Sequence, residues 1–375
     1  MKVALVCDWL TNVGGAEKVL LAFHRMYPKA PIYTSQYSAR GIDWFCDAEV
    51  RTGWLQIFPA GMRRLLGVFR QRWFRRLDLS EYDLVISVTG AEAKGVRASK
   101  PGAKHICYCH APTQYYWQMY DRYVENPGFG VLNPLVRVCF KLLVKPLRRR
   151  DFEAASEVDE FVTISEYTKG LILKYYEREA VVVNPPVDIS SFNIKNGKSQ
   201  KEKGNYYIVT SRQVNWKRLD LAVRACVKLA RPLLVIGEGP EHKKLVRMAE
   251  GAVSKDGSPL VRFLPVMGAE ELAGYLAGAW GYLFPSMEPF GIAPVEALST
   301  GCPVVAYGAG GALDYVKDGA NGVLFGKQTV KSLCEGILRF EGMEFDADKV
   351  AKSAEKFSEK RFEREMREVI NEKTK

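Results

Sequence analysis

The chain has 375 residues, of which 47% are hydrophobic and 26% are charged, and its formal net charge is +11. This length is too great for one ordinary core, so two domains are expected, and the composition excludes a disordered chain. No apolar run reaches the roughly 20 residues of a membrane-spanning helix, and the basic excess indicates an anionic partner: a nucleic acid, an anionic membrane or a phosphorylated ligand.

The N-terminal segment MKVALVCDWLTNVGG does not match a signal peptide, because its apolar core is short and Asp8 and a Gly-Gly turn follow it. The eight cysteines are scattered, and the spacing of Cys107 and Cys109 fits neither a redox pair nor a zinc pair. We therefore expect reduced thiols in a cytoplasmic protein.

The first half alternates short apolar runs with helical patterns. Residues 1–9 predict a strand, and a glycine turn then leads into a helix. Further strands are predicted at 82–90 and 105–112, a strand and a helix that begins after Ser165 at 160–176, and a last strand at 180–188.

Residues 193–205 are polar and rich in Lys, Asn and Gly, which is typical of a linker. A second α/β half follows, with strands predicted at 206–212, 260–265, 281–286 and 302–308, and helices at 219–230, 270–279 and 295–301. Residues 232–241 predict a strand and a glycine turn, which a helix follows. The charged tail from about residue 349 is expected to be helical and long enough to return to the first half.

These patterns predict an α/β fold of two Rossmann-like, doubly wound parallel-sheet domains that face one another across a cleft. Residues 1–190, joined by a C-terminal helix at about 356–375, are expected to form the first domain, and residues 205–355 the second. In such sheets, ligands bind at the carboxyl ends of the strands.

The string SMEPFGIAPVEALSTG at 286–301 places Glu288 and Glu296 around a Gly-Ile dipeptide that opens a helix. The first amides of this helix lack intrahelical partners and carry the positive end of its dipole, so they suit a diphosphate. Glu296 could then hold a ribose hydroxyl pair, and Glu288 the hydroxyls of a sugar at the reacting end. The alternative is a helix start whose acidic residues only complement the dipole.

The run EPFGIAPVE resembles the E-x7-E signature of retaining glycosyltransferases of family 4, which have the GT-B fold. Residues 301–325 look like the stretch that follows this signature, with Asp314 where many members have Glu. Residues 210–223 are similar to the family's donor-phosphate motif, which puts Arg212 and Lys217 on the diphosphate.

The resemblance implies that residues 205–355 bind a nucleotide-sugar and that residues 1–190 lie on the acceptor side. It further assigns glycines and their neighbours to the donor: Gly14, Gly15, Gly237, Gly239, Phe290, Gly291 and Ile292. The nucleotide-sugar is a substrate, and no cofactor or metal is implied, because fixed cationic groups would stabilise the leaving diphosphate. The Asp346-Ala347-Asp348 triplet lies in a polar stretch and is interpreted as solvated surface.

His110 stands at the end of a predicted strand, before Pro112 and a run of aromatic residues. The resemblance assigns it, with Glu288, to catalysis by contact with the sugar. The C-H-x-P pattern also resembles the branch of the family that transfers mannose from GDP-mannose in lipid-linked oligosaccharide and lipopolysaccharide O-antigen assembly. A histidine buried in the core is the alternative.

Two segments concentrate the basic charge without any acid, namely residues 62–77 and 136–150. Basic residues beside apolar ones suit an anionic membrane surface or the pyrophosphate of a lipid-linked acceptor, whereas solvated helix faces are the alternative. Pro146 is expected to kink the second segment. The residues assigned to this surface are Arg63, Arg64, Arg70, Trp73, Arg137, Lys141 and Lys145.

The sequence thus predicts a metal-independent retaining glycosyltransferase, which moves mannose from GDP-mannose to a polyprenyl-diphosphate-linked glycan at the inner face of the cytoplasmic membrane. Three enzyme or binding alternatives stay open: a UDP-sugar donor on the same scaffold, a phosphate-using phosphorylase or epimerase, and a non-catalytic membrane-associated partner. A nucleic-acid binder would also fit the charge, but no nucleic-acid motif is present.

Overall fold

The structure is a computed structural model that describes residues 1–59, 66–125, 127–128, 130, 133–192, 204–254 and 256–374. Most of the predicted linker at 193–205 lies outside these residues. The chain divides into two compact units: Met1–Pro186 with Phe362–Lys375, and Val187–Arg361. Each unit has one parallel sheet with helices in its connections, which confirms the predicted α/β class.

Within the described residues, the first unit has a seven-stranded sheet with the order β3-β2-β1-β4-β5-β6-β7. The strands are parallel throughout: β1 (Val3–Cys7), β2 (Ile32–Thr34), β3 (Val50–Arg51), β4 (Leu84–Thr89), β5 (Lys104–Cys109), β6 (Glu160–Thr163) and β7 (Val181–Val182). Every residue of β1 and β4 is buried, as expected for strands covered on both faces.

The helices described in this unit are α1 (Gly15–Met26), α2 (Gly67–Phe74), α3 (Tyr120–Glu125), α4 (Asn133–Ser156), α5 (Glu166–Tyr176) and most of α13 (Glu359–Thr374). Ser165 caps α5 by accepting a hydrogen bond from the Thr168 amide, as predicted. Helix α13 packs into this unit through Phe362, whose ring lies 5.5 Å from that of Phe23.

The second unit has a six-stranded sheet within the described residues, with the order β10-β9-β8-β11-β12-β13. Its strands are β8 (Tyr207–Thr210), β9 (Leu233–Ile236), β10 (Val261–Leu264), β11 (Gly281–Phe284), β12 (Val304–Tyr307) and β13 (Gly322–Phe325). Its helices are α6 (Leu219–Leu229), α7 (His242–Ala249), α8 (Ala269–Gly278), α9 (Ile292–Ser299), α10 (Ala312–Tyr315), α11 (Val330–Glu341) and α12 (Ala347–Ser353). One apolar cluster fills the space between this sheet and helices α6 and α11.

Three short strands, β2, β3 and β13, were not predicted. Helix α4 runs as one element through Pro146, where the sequence predicted a kink. In both sheets the loops that follow the strands lie at the carboxyl ends, where doubly wound folds bind their ligands.

Candidate functional site

The sheet of the second unit reverses its strand order between β8 and β11. Strand β8 leads into residues 211–217, and β11 leads into residues 285–291. Because the two strands are parallel, both loops leave the sheet at the carboxyl ends of its strands. Doubly wound sheets bind ligands at such a switch point.

A cavity opens at the carboxyl ends of β8 and β11. Its volume of about 40 Å³ leaves room for about one or two water molecules. Its walls come from both loops and from the start of α9, and they include Thr210, Ser211, Lys217, Tyr282, Ser286, Glu288, Gly291, Ile292 and Ala293. A diphosphate is larger than this cavity, so a ligand would lie across its mouth.

A buried polar cluster forms one wall of the cavity. The ammonium Nζ of Lys217 lies 2.6 Å from Oε2 of Glu288, and Ser286 Oγ donates to Oε1 of the same carboxylate at 2.7 Å. The side chains of Lys217 and Glu288 are only 19% and 11% exposed. Lys217 also lies 4.5 Å from the centre of the Trp216 ring. These contacts hold the carboxylate in one orientation at the cavity wall.

Gly291 is the residue before α9, and its backbone has φ 98°, a conformation that side chains oppose. A Cβ at this position would meet the Phe284 ring at 2.7 Å and the Tyr315 hydroxyl at 2.9 Å. No side chain caps the helix, so the amides of Ile292 and Ala293 are left at the cavity wall without intrahelical partners. The arrangement offers two N–H donors and the positive end of a helix dipole to an anion.

Two hydrogen bonds to main-chain carbonyls fix the loop before Gly291. The Gly311 amide donates to the Glu288 carbonyl at 2.9 Å, and the Tyr315 hydroxyl donates to the Phe290 carbonyl at 3.0 Å. The ring of Phe290 is 3% exposed and packs against the rings of Tyr315 and Phe357. The ring of Phe290 is thus part of the core, and the assignment of this residue to the donor stays a prediction.

The predicted glycine turn after β9 packs against the loop after β8. A Cβ at Gly237 or Gly239 would lie within 2.5 Å of a carbonyl oxygen of that loop, so only glycine allows this approach. The connecting residue is Gln213, which is fully buried and hydrogen-bonds the Gly237 carbonyl with its amide nitrogen. Its amide oxygen pairs with Nδ1 of His242 at 2.8 Å. These bonds determine the path of the segment that carries Arg212.

Arg212 and Glu296 do not line the cavity. The Arg212 side chain is exposed and has no ion-pair partner among the described residues. Glu296 is 8% exposed in the second turn of α9. Tyr282 fixes the end of β8 by donating from its hydroxyl to the Thr210 carbonyl at 2.9 Å, and burial raises its pKa, so it stays a donor.

In the first unit, the strand order reverses between β1 and β4, and Asp8 fixes the loop after β4. Its carboxylate accepts hydrogen bonds from the Thr89 hydroxyl and from the amides of Gly90, Ala91 and Ala93, at 2.8 to 3.1 Å. Burial raises the pKa of Asp8.

Helix α1 packs against β1 and β4. Gly14 precedes the helix, no side chain caps it, and Gly15 is exposed. The carboxylate of Glu17 lies next to Gly14, since its Oε2 is 2.8 Å from the position that a Cβ there would take. The two glycines thus place no side chain over the start of α1, and one acidic group lies beside it.

His110 follows β5 and donates its backbone amide to the Thr89 carbonyl at 2.8 Å. Its ring lies 5.5 Å from the Tyr108 ring, and Nε2 is buried with no hydrogen-bond partner within the described part of the chain. Burial lowers the pKa of His110 to about 4, so its imidazole is neutral near pH 7. A buried, unpaired ring nitrogen costs free energy unless a ligand or water satisfies it.

The first basic segment differs from the expectation. Arg63 and Arg64 lie outside the described residues. Arg70 is 1% exposed and forms an ion pair of 2.8 Å with Glu92, so its assignment to a membrane-facing surface is wrong. Trp73 is half-buried and packs against the core of the first unit.

The basic residues of helix α4 differ in whether they have partners in the described part of the chain. Arg137 donates to the carbonyls of Val124 and Glu125 at 2.9 Å, and Arg148 lies 4.7 Å from the centre of the Tyr120 ring. Lys141 and Lys145 are exposed and unpaired within the described residues. Of the residues of α4 assigned to the membrane or acceptor surface, Arg137 is thus bonded to α3, and Lys141 and Lys145 are exposed. Four large apolar side chains of the same helix are 47–73% exposed: Leu135, Val138, Leu142 and Leu143.

The Asp-x-Asp triplet has a local role. Asp346 caps α12 by accepting from the amides of Asp348 and Lys349. Within the described parts of the chain, no group of three His, Cys, Asp or Glu side chains is placed to hold a metal ion. All eight cysteines are free thiols. None of the helices described is long and apolar enough to cross a bilayer.

Sequence reasoning missed three residues of the site: Ser286, Tyr282 and Gln213. Ser286 lies two positions before Glu288 in the quoted string, and that spacing at the end of a strand was the available signal. Gln213 follows Arg212 directly. The contacts of Tyr282 depend on strand pairing, which a single sequence does not show.

Comparison with known proteins gives one family match. Residues 190–362, somewhat less than half of the chain, match the family described as glycosyl transferases group 1. This stretch contains the Glu288–Glu296 string and almost all of the second unit. The family match therefore covers the motifs of the second half of the chain, whereas the C-H-x-P pattern around His110 lies outside it.

Two relatives illustrate the range of the similarity. A D-inositol 3-phosphate glycosyltransferase of Nocardioides sp. is 29% identical over 197 residues, which are 46% of this chain and 43% of that one. A GDP-mannose-dependent alpha-mannosyltransferase of Corynebacterium glutamicum is 33% identical over 111 residues, which are 28% and 25% of the two chains. The chain thus spans less than half the length of either relative.

Among solved structures, HepE of Anabaena in complex with UDP has a TM-score of 0.70 with this chain. The alignment covers 99% of this chain and 100% of that one at 20% sequence identity. At this identity the likeness shows the fold: two parallel-sheet α/β units of the GT-B glycosyltransferase type. The predicted GT-B class is confirmed.

Proposed function

We propose that the protein is a metal-independent, retaining glycosyltransferase that takes a hexose from a nucleotide-sugar. The observation that carries the proposal is the cluster of Lys217, Glu288 and Ser286 beside the uncapped start of α9. It lies at the switch point of a GT-B unit and inside the family match. Cation, carboxylate and free amides thus occur together where a ligand of this fold binds.

The cationic groups serve the leaving diphosphate. When the bond between the sugar and the phosphate oxygen breaks, negative charge grows on that oxygen. Lys217 and the amides of Ile292 and Ala293 are fixed donors at the cavity wall that stabilise this charge without reorganisation. Arg212, which is exposed outside the cavity, is proposed to add its charge when the diphosphate binds. Glu296, buried in the same helix, is proposed to hold the ribose hydroxyls.

The transfer itself is proposed to follow a front-face route. The bond from the anomeric carbon to the phosphate oxygen breaks, the bond to the acceptor oxygen forms on the same face, and the acceptor proton passes to the leaving phosphate. Glu288 holds sugar hydroxyls and stabilises positive charge on the ring. His110 contributes an uncharged hydrogen-bond partner through Nε2, because a histidine with a pKa of about 4 is neutral near pH 7.

GDP-mannose is the proposed donor, and mannose is the sugar that is transferred. Support comes from the C-H-x-P pattern around His110 and from the similarity to a GDP-mannose-dependent alpha-mannosyltransferase. The second candidate is a UDP-sugar, which is favoured by the UDP complex of the structural neighbour HepE. The two candidates differ only in the base and sugar, since both leave as a nucleoside diphosphate.

The proposed acceptor is a glycan on a polyprenyl diphosphate, reached from the inner face of the cytoplasmic membrane. Helix α4 supports this part, because Leu135, Val138 and Leu142 are exposed beside Lys141 and Lys145. Exposed apolar side chains next to lysines suit the interface of an anionic membrane. We name the surface formed by these five residues the α4 face.

Incubation of the full chain with a panel of GDP- and UDP-sugars, followed by mass spectrometry, tests the proposal. We expect the release of one nucleoside diphosphate from one donor, with the sugar on water or on an added polyprenyl-diphosphate acceptor. Thermal-shift measurements with GDP and UDP identify the base independently. Release from no donor, together with no stabilisation by either nucleotide, would overturn the proposed function.

A further inference from the structure

A second cavity, lined by several charged residues, lies in the first unit between α2 and α4. Its volume is about 330 Å³, at the lower end of the range for small-molecule sites. Helix α2 and the two residues after it, residues 92–95 and the last turns of α4 form its walls. Four arginines line it: Arg72, Arg75, Arg76 and Arg150.

Three of these arginines carry free charge. Arg75 pairs with Glu157, whereas Arg72, Arg76 and Arg150 are exposed and have no ion-pair partner in the described part of the chain. The α2 segment and α4 therefore supply three guanidinium groups that have no ion-pair partner among the described residues.

The acidic residues of the cavity do not offset this charge, because each has its own cation. Glu92 pairs with Arg70 at 2.8 Å, and Asp151 pairs with Lys94 at 2.6 Å. The third, Glu153, pairs with Arg149 at 2.8 Å. The cavity is consequently cationic, with a floor of neutralised ion pairs.

A buried amide gives a second, independent sign of a ligand. Gln71 lines the cavity, and both its Nε2 and its Oε1 are buried without a hydrogen-bond partner among the described residues. Buried side-chain polar atoms almost always have partners, and an unsatisfied amide is costly. Arginine forks bind phosphate oxygens bidentately, and a glutamine amide can donate to the same group.

From this geometry we infer that the cavity binds a phosphate-bearing anion of about diphosphate size, held by Arg72, Arg76, Arg150 and the Gln71 amide. The inference stands apart from glycosyl transfer, since it uses none of the residues proposed for that reaction. The anion is either a free diphosphate or the headgroup of an anionic lipid, because both present the same oxygens to the guanidinium groups.

The test follows the side-chain amide of Gln71 by NMR in the ¹⁵N-glutamine-labelled full chain, with the signal assigned through Gln71→Met. Inorganic pyrophosphate should shift this signal, and Arg150→Gln or Arg76→Gln should weaken its apparent affinity about tenfold or more. Arg122→Gln, an exposed arginine of α3 outside the cavity, is the matched control and should change the affinity less than twofold. All three substituted arginines are exposed, so the variants should fold.

A second arm distinguishes the sources of the phosphate. Binding to vesicles that contain phosphatidic acid is compared for Arg150→Gln and Arg122→Gln, with phosphatidylcholine vesicles as the reference. A selective loss in Arg150→Gln assigns the cavity to a lipid headgroup, and equal binding assigns it to a soluble diphosphate. The inference is overturned if pyrophosphate leaves the Gln71 signal in place, or if it moves that signal equally in Arg150→Gln and wild type.

Discussion

Lys217 and Glu288 come from different loops of the second unit, and their ammonium and carboxylate groups meet at 2.6 Å. Lys217 follows β8 and Glu288 follows β11, so the pair joins the two strands at which the sheet reverses its order. A diphosphate that reaches Lys217 must share it with this carboxylate. The exposed Arg212 and the α9 amides then supply the uncompensated positive charge for binding.

Glu288→Gln should separate catalysis from binding. The amide keeps the shape of the carboxylate and can still accept from Lys217, so nucleotide affinity should stay within about threefold or improve as a negative charge is lost. The transfer rate should fall about 100-fold or more, because the proposed stabilisation of the sugar ring disappears. Single-turnover rates and calorimetric binding of the nucleoside diphosphate measure the two effects.

Glu335→Gln is the matched control for this variant, since Glu335 is paired with Lys331 within α11, outside both loops of the site. It should leave both quantities unchanged. A parallel loss of rate and affinity in Glu288→Gln would assign the residue to ground-state binding and remove it from the chemistry.

Lys217→Gln should weaken binding of the nucleoside diphosphate about tenfold or more, through the loss of a charge-assisted contact. It also leaves the carboxylate of Glu288, which is 11% exposed, without its cation, so the unfolding temperature should fall. The double variant Lys217→Gln with Glu288→Gln should recover that temperature without recovering affinity. Recovery of both would indicate that Lys217 acts on folding alone.

Much of this site could be predicted from the sequence, because it is local. The Glu288–Glu296 string carries its own glycine, helix start and carboxylates, and the strand before it is an unbroken apolar run. The pairing of Lys217 with Glu288 could not be predicted, since it joins positions 71 residues apart through the order of the strands. The resemblance placed both residues at the donor but gave no contact between them.

The basic residues were difficult to predict for the same reason, because their partners come from other parts of the chain. Arg70 looked like part of an exposed basic stripe, but Glu92 is placed against it by the packing of α2 on the segment after β4. Arg137 likewise faces the carbonyls of α3. A charge run shows which side chains are cationic, and only the tertiary structure shows which of them have partners.

Gly291→Ala should damage the donor site through its backbone. The added methyl meets the Phe284 ring and the Tyr315 hydroxyl within 3 Å, at a φ of 98° that alanine opposes. We expect a loss of roughly 1–3 kcal/mol in the free energy of unfolding and weaker nucleotide binding, because the α9 amides shift. Gly326→Ala is the control, as its Cβ would meet nothing within 4 Å. Equal effects of the two substitutions on nucleotide affinity would count against the role of the α9 amides.

Leu142→Glu should reduce binding to vesicles of phosphatidylglycerol and phosphatidylcholine about tenfold or more. Leu142 is 73% exposed on the α4 face, so its insertion into lipid would be lost and a like charge would meet the anionic surface. Leu173→Glu, at a leucine of α5 that is 49% exposed, is the matched control. Flotation assays that show the same binding for both variants and wild type would remove the α4 face from the proposed membrane contact.

His105 and His110 should not titrate in the folded protein between pH 5 and 8. Burial lowers the pKa of each to about 4, and His105 additionally pairs with the Ser87 hydroxyl at 2.8 Å. The imidazole signals of the two residues, assigned through His105→Asn and His110→Asn, should stay at their neutral positions over this range. If His110 acts as a neutral partner, the transfer rate should show no step from it over the same range. A His110 signal that titrates near pH 6.5 would contradict the neutral role.

The lowered pKa values of His105 and His110 also make the free energy of unfolding depend on pH. Below about pH 6.5 the unfolded chain protonates both histidines, whereas the folded chain does so only below about pH 4. The unfolded state therefore binds more protons in this window, so the free energy of unfolding should rise with pH from about 4 to 6.5 and level off above it. Each asparagine variant should flatten that rise relative to wild type, a comparison in which the carboxylates shared by both proteins cancel. Denaturant titrations of the first unit's transition at several pH values measure it, and equal slopes in wild type and both variants would show that neither imidazole is held neutral by the fold.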